Sequence, residues 1–131
     1  MKRILLVFIL AFLLNLIWEN LHSFLYANYM GGKITEFILL RASAADALIV
    51  TILVLPFVFI AALRSKSWIV IFAGILTAIF IELYALQTGR WAYNSFMPVI
   101  PLLNTGLTPT IQLGVLAYIV IKAVEKTKSG F

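Results

Sequence analysis

Long apolar runs separated by short polar connections dominate this chain. Four of the runs are close to the ~20 residues that a helix needs to cross ~30 Å of hydrocarbon. They predict helices over about residues 4–26, 42–63, 68–86 and 108–124. The pattern therefore predicts an all-α fold, an integral membrane four-helix bundle, in which residues 1–131 form a single polytopic domain.

Several polar residues sit where helix starts are expected. Ser43 to Asp46 fits a capping box at the start of the second helix. Ser67 is placed to cap the third helix. Thr108 before Pro109 predicts a capping residue followed by proline at the first helical position of the fourth.

The connection from Gln87 to Leu107 differs from an ordinary loop. It is too apolar for a solvated loop and too rich in proline for a fifth span. We expect it to lie in the outer membrane interface, or to re-enter it, over the ends of the helices. Trp91 and Tyr93 would anchor it at head-group level.

Composition agrees with a membrane protein. The chain is 63% hydrophobic and 11% charged, which no soluble domain of 131 residues matches. Cysteine is absent, which excludes thiol nucleophiles, disulfides and cysteine-ligated metals. Trp18-Glu19-Asn20 stands where a signal peptide would carry small residues before its cleavage site, so the first run is expected to stay as a helix.

The net charge of +5 indicates topology and not nucleic-acid binding, because the basic residues flank the apolar runs. Seven of the ten lysines and arginines lie on one side of the predicted membrane and three on the other. The positive-inside rule therefore predicts a multi-pass protein of the cell (inner) membrane with both termini in the cytoplasm.

Glu19 and Glu82 fall inside predicted spans. A carboxylate at that depth costs on the order of 3 kcal/mol, so each is a candidate functional residue. Counting 1.5 Å per residue from each helix start places both acids at one depth, in the outer half of the bilayer. Asp46 and Gln112, near the starts of the second and fourth helices, fall in the same layer.

Helical spacing places these acids on defined faces. On the first helix, one stripe at i, i+4, i+7 and i+11 contains Asn15, Glu19, His22 and Tyr26. On the third helix, a second stripe consists of small residues around one acid: Gly74, Ala78, Glu82, Ala85 and Gly89. Small residues let helices approach closely in lipid, so Glu82 is predicted to point into the bundle.

These residues form a candidate site. The predicted catalytic residues are Glu19, Glu82 and His22. The predicted ligand-binding residues are Arg90, Asp46, Gln112, Tyr26, Trp91, Tyr93 and Asn94. Arg90 would hold an anionic group or pair with Glu82.

Each acid also has a structural alternative. Asp46 could cap its helix, and Gln112 could hydrogen-bond another helix. The glutamates could be neutral carboxyls bonded to His22, Tyr84 or Gln112. Glu19-x-x-His22 has the spacing of a di-metal carboxylate bundle, but such bundles need a second motif and this chain has one histidine, so neither metal nor cofactor is predicted.

The motifs together resemble a family of small four-helix prokaryotic membrane proteins. They are Trp18-Glu19, Tyr26, Asp46, Glu82, Gly89-Arg90-Trp91, Tyr93, Met97-Pro98, Pro101, Gly106-Leu107, Pro109 and Gln112. The segment from Glu82 to Gln112 is the most specific part. The resemblance implies a four-helix architecture with a polar layer, and it implies no particular reaction.

The favoured hypothesis is a protein that binds, or acts on, a lipid or isoprenoid head group, with a membrane lipid or another hydrophobic small molecule as partner. Glu19 or Glu82 would serve as acid or base. One alternative is a small proton- or cation-coupled transporter that uses Glu19. Another is an accessory subunit of a larger membrane complex, and homo-oligomerisation also stays open. The sequence leaves open whether the protein is an enzyme.

Overall fold

The computed structural model describes residues 2–127, and its body is a bundle of four long helices. They are α1 (Lys2–His22), α2 (Glu36–Phe59), α3 (Ile69–Gln87) and α4 (Leu107–Glu125). Each is long and apolar enough to cross a membrane, as predicted. A short 3₁₀ segment, Ala61–Lys66, links α2 to α3 at one end of the bundle.

Helix α4 is the centre of the bundle. It contacts α1, α2 and α3, and its closest partner is α3, while α1 packs along α2. Helices α2 and α3 contact each other only sparingly. A space between α2 and α3 follows from this arrangement.

The core near the Ala61–Lys66 end is apolar. Its fully buried side chains include Val7, Val54, Val58, Val70, Val120 and Val124. These close-packed side chains stabilise the bundle through dispersion contacts. The large exposed side chains of α1 and α2, such as Leu13 and Ile52, face outward, as lipid-facing residues do.

The backbones of α3 and α4 touch at a pair of glycines. A Cβ added at Gly74 would overlap the backbone of Gly114, and one added at Gly114 would overlap the carbonyl of Ile71. The small stripe predicted on α3 is therefore confirmed from Gly74 to Ala85, and its partner on α4 is Gly114. Its last predicted member is wrong, because α3 ends at Gln87 and Gly89 is exposed beyond it. Four of its members, Gly74, Ala78, Glu82 and Ala85, are buried.

The opposite end of the bundle carries a small two-stranded antiparallel ribbon. Strand β1 (Tyr26–Tyr29) follows a 3₁₀ turn after α1, and β2 (Trp91–Tyr93) follows α3. Tyr26 pairs with Tyr93 and Tyr29 pairs with Trp91. We call this end of the bundle the ribbon end.

The ribbon corrects two predictions. The first helix was predicted to reach Tyr26, but it ends at His22, and Tyr26 lies in a strand. The connection between α3 and α4 was predicted as an interfacial loop with no strand, but part of it, β2, pairs with β1. Asn94 fastens it further, since its backbone N–H donates to the Leu25 carbonyl at 2.9 Å and its Nδ2 to the Phe24 carbonyl at 2.5 Å.

The predicted start of α2 and the predicted helix caps are wrong as well. Helix α2 begins six residues early, at Glu36, and Thr35 caps it by accepting a bond from the Ile38 N–H at 3.3 Å. Ser43 is buried in its second turn and donates to the Leu39 carbonyl at 2.7 Å, so Ser43 to Asp46 is not a capping box.

In α4 the cap position is taken by Gly106, so Thr108 is not the cap and Pro109 is the third helical residue. At the start of α3 the cap position belongs to Trp68, and no side chain, that of Ser67 included, caps it. The polar residues near these starts are therefore free for other contacts.

Candidate functional site

A cavity of about 380 Å³ lies at the ribbon end, between α2 and α3 and beneath the ribbon. All four helices contribute to its wall. Three acids line it, one each from α1, α2 and α3: Glu19, Asp46 and Glu82. The cavity thus brings together the acids that the sequence placed in one layer.

Gln112 of α4 connects two of these acids. Its Nε2 lies 3.1 Å from Glu19 Oε1, 3.0 Å from Asp46 Oδ2 and 2.9 Å from Asn15 Oδ1. Gln112 is only 4% exposed and Asn15 is fully buried. The two protons of this amide are therefore shared among acceptors on α1 and α2. The contact fixes the position of α4 relative to both of these helices.

Glu19 is part of a continuous hydrogen-bonded chain. Its Oε2 lies 3.1 Å from His22 Nε2, and His22 Nδ1 lies 3.0 Å from Thr108 Oγ1. On its other side, Glu19 accepts from the same Gln112 amide nitrogen as Asp46, so the two carboxyls form a neighbouring pair in the cavity wall.

Glu82 has a different environment. Its Oε1 accepts bonds from the Tyr93 hydroxyl at 2.5 Å, the Trp91 indole N–H at 3.3 Å and the Tyr26 hydroxyl at 3.4 Å. All three donors belong to the ribbon. Among the described residues none donates to Oε2, and Glu82 lines the cavity while being only 4% exposed. Glu82 therefore offers an acceptor to whatever occupies the cavity.

The Tyr93 hydroxyl is oriented by a second contact. The Gly106 N–H donates to the Tyr93 hydroxyl oxygen at 2.9 Å, so the phenolic proton is directed toward Glu82. Burial raises the pKa of Tyr93 above its usual value, and the hydrogen bond to Glu82 adds to the effect. Burial likewise raises the pKa of Tyr26, with a further contribution from the Glu82 charge. Both phenols therefore stay protonated donors.

This predicts an alkaline signature. At about pH 11 an unfolded tyrosine is mostly ionised, whereas Tyr26 and Tyr93 should remain neutral in the folded protein. Denaturation at this pH should therefore release about two phenolate equivalents of ultraviolet absorbance. Because folding raises both pKa values, their contribution to stability is complete below about pH 10 and decreases as the pH rises further.

The matched control is the double variant Tyr26→Phe with Tyr93→Phe, in which the absorbance step should disappear. An equally large step in wild type and in this variant would contradict the assignment.

Two arginines line the same cavity. Arg41 comes from α2 and Arg90 from the turn before β2, and both are exposed at its margin. The Arg41 guanidinium lies 5.8 Å from the ring centre of Phe37, and that of Arg90 lies 5.8 Å from the ring centre of Tyr84. The predicted ion pair between Arg90 and Glu82 is not formed.

The structure places most of the predicted site residues together. Those that line the cavity are Glu19, Asp46, Gln112, Glu82, Tyr26, Trp91 and Arg90. His22 and Tyr93 do not line the cavity, but they hydrogen-bond to Glu19 and Glu82 respectively. Asn94 does not reach the site. Its side-chain amide donates to the Phe24 carbonyl, in the turn after α1, and accepts from the Phe96 N–H in its own loop.

The purely structural roles considered for these residues are confirmed for some of them and wrong for others. Asp46 lies well inside α2, which excludes the capping role. Gln112 does bond other helices, and Glu19 does bond His22 and Gln112. For Glu82 the three expected partners are wrong, because its partners come from the ribbon and Tyr84 is 59% exposed.

Two contributors were missed. Arg41 was counted as a topology charge, because the second helix was predicted to start after it. Thr108 was assigned to a helix cap, but it contacts His22 instead. With α2 starting at Glu36, Arg41 becomes a residue of the same helix as Asp46, and both line the cavity.

Comparison of the chain with known protein families, with curated proteins and with solved structures finds no match. The resemblance to small four-helix prokaryotic membrane proteins therefore stays a prediction.

Proposed function

We propose that this protein binds the head-group region of a lipid or isoprenoid in the cavity between α2 and α3, and that the acids there exchange protons with it. The observation that carries the proposal is the position of Glu82. It is almost fully buried, it lines the cavity, and one of its oxygens lacks a donor among the described residues. A carboxylate oxygen that is open to the cavity can accept a hydrogen bond from a head group bound there.

The acids are suited to opposite roles. Glu19 and Asp46 flank one amide nitrogen, and two carboxyls so placed favour a single proton held between them, which the pair would donate. Glu82, whose Oε1 is saturated with donors, can accept a proton or a hydrogen bond at Oε2. Neighbouring carboxyls with different environments are a common basis for acid and base catalysis.

The chain from Thr108 through His22 to Glu19 supports a proton supply to the pair. An imidazole ring carries two nitrogens that can donate and accept at the same time, which suits a relay.

We place the ribbon end at the outer face of the cell membrane and both termini in the cytoplasm. Support comes from charge. Within residues 2–127, three basic residues lie at the ribbon end and six at the opposite end. A fluorescent protein fused to the C-terminus should then be fluorescent in a bacterial host. A dark fusion, with an active periplasmic reporter at the same position, would reverse the orientation.

Cavity filling tests the binding proposal. Ala45 is exposed and lines the cavity, so Ala45→Phe should reduce the lipid retained by the purified protein at least about tenfold, as measured by extraction and mass spectrometry. Leu48 is on the same helix, 57% exposed and outside the cavity lining, so Leu48→Phe is the matched control. Equal lipid retention in both variants and wild type would count against the proposal.

The other functions stay predictions. A transporter needs a polar route through the whole bundle. The half near the Ala61–Lys66 end is filled with packed apolar side chains, so the packing does not favour transport. No described contact bears on an accessory-subunit role or on homo-oligomers.

A further inference from the structure

The proposed function leaves open which chemical class of lipid fits the cavity. Resting on that function, we infer that the ligand is a membrane amphiphile with a phosphate head group. Its phosphate lies at a basic rim formed by Lys33, Arg41 and Arg90, and its chain lies in an apolar groove between α2 and α3. The acids then face the chain side of the head group and not the phosphate.

The basic rim contains every lysine and arginine of the ribbon end. Arg41 and Arg90 line the main cavity. Lys33 lines a neighbouring cleft of about 510 Å³, which shares Ser23, Tyr26, Ile34 and Leu39 with that cavity. The positive charges of this end are therefore gathered around one opening.

The arginines do not neutralise the acids of the cavity. Within residues 2–127, the ion pairs are His22–Glu19 and Lys122–Glu125, and neither includes a rim residue. The guanidinium groups of Arg41 and Arg90 lie over aromatic rings, which leaves their N–H edges available for an anion. Guanidinium groups bind phosphate with paired hydrogen bonds, and three cations suit a group that carries up to two negative charges.

The groove below the rim is apolar. On α2 the lining positions 38, 42, 45 and 49 recur at i, i+4, i+7 and i+11, and they are Ile38, Ala42, Ala45 and Ile49. Ala78 and Ile81 of α3 face the same space. Small alanines in the middle of the stripe leave room for a chain, and the sparse contact between α2 and α3 leaves the space unfilled by protein.

Charge sets the direction of the ligand. Arg41 and Asp46 are five residues apart on α2, a rise of about 7.5 Å. A phosphate placed deeper would meet Glu19, Asp46 and Glu82, and like charges repel strongly where water is excluded. The phosphate therefore stays at the rim, and the acids reach atoms about 7–8 Å further along the molecule.

The test measures binding to the full chain in detergent micelles by native mass spectrometry. The probes are phosphatidic acid, a polyprenyl phosphate, diacylglycerol and inorganic phosphate. Wild type should bind at least one phosphate-bearing amphiphile about tenfold or more tightly than diacylglycerol. Arg41→Gln with Arg90→Gln should remove that preference, and Arg41→Lys with Arg90→Lys should retain part of it.

The matched control is Lys122→Gln with Lys126→Gln, which removes two positive charges at the opposite end and should leave the preference intact. Equal loss in both double variants would show a non-specific charge effect and overturn the inference. Inorganic phosphate that binds as tightly as the amphiphiles would also overturn it, because the chain would then contribute nothing. The tighter of the two phosphate-bearing amphiphiles identifies the chain type.

Failure of this inference is separable from failure of the proposed function. If Ala45→Phe lowers binding of all the lipids while Arg41→Gln with Arg90→Gln leaves the phosphate preference unchanged, the cavity binds lipid but the basic rim does not select phosphate. If Ala45→Phe changes nothing, the proposed function itself is wrong.

Discussion

Replacing Gly114 by alanine is expected to lower the unfolding free energy by about 3 kcal/mol, the upper part of the usual cost of overpacking. The added methyl group would overlap the carbonyl of Ile71, which is backbone and cannot move without shifting all of α3. Since α3 is the closest partner of the central helix, separating the two should also widen the cavity that both helices line.

The measurement is an unfolding curve in mixed detergent micelles, with secondary structure followed by circular dichroism. Gly32→Ala is the control, because a Cβ there would meet only the Tyr29 carbonyl at an ordinary 3.7 Å. Gly74→Ala should be comparably destabilising, and combining it with Gly114→Ala should cost less than the two losses added, because both variants disturb one contact. A Gly114→Ala protein as stable as wild type would mean that α3 and α4 do not approach this closely.

Gln112→Glu is also expected to lower the unfolding free energy by about 3 kcal/mol, for an electrostatic and not a steric reason. The two side chains have nearly the same shape, so packing is preserved. The amide donor, however, is replaced by a carboxyl oxygen beside acceptors of Asn15, Glu19 and Asp46. Buried acceptors that lose their donor destabilise the folded state. A third carboxyl beside Glu19 and Asp46 adds to this loss, because like charges repel each other.

The same unfolding assay applies, with Gln87→Glu as the control. Gln87 is exposed at the end of α3, so the identical chemical change should have little effect there. Equal stability of the two variants would show that Gln112 is not the donor that joins α1, α2 and α4. A smaller drop for Gln112→Glu, together with unchanged lipid binding, would point to a water molecule replacing the amide.

The four spans and the inward direction of Glu82 follow from local sequence. A stretch of about twenty apolar residues can be recognised without knowing which segments pack against it, because the thickness of the hydrocarbon layer sets the length of a span. The small stripe around Glu82 is equally local, since helical periodicity alone places Gly74, Ala78 and Ala85 on its face. The convergence of Glu19, Asp46 and Gln112 was also accessible, from counting residues along helices that run in alternating directions.

Tertiary structure decided the contacts that those residues make. Tyr26 and Tyr93 are 67 positions apart, and only the pairing of β1 with β2 brings both hydroxyls to Glu82. No local sequence pattern predicts that these two strands pair. A strand of three or four residues between apolar helices has too few alternating positions to be recognised. For the same reason the sequence named the wrong partners for Glu82.

The extent of α2 was decided in the same way. Thr35 and Glu36 start the helix, although the more apolar part begins later, and this single difference converts Arg41 from a loop charge into a cavity residue. The sequence by itself determined four apolar helices long enough to span a membrane, with acids buried inside their bundle, because hydrophobicity and helical geometry are local properties. Which donors satisfy those acids, and which cations stand above them, depended on contacts between distant segments, which only the folded chain brings together.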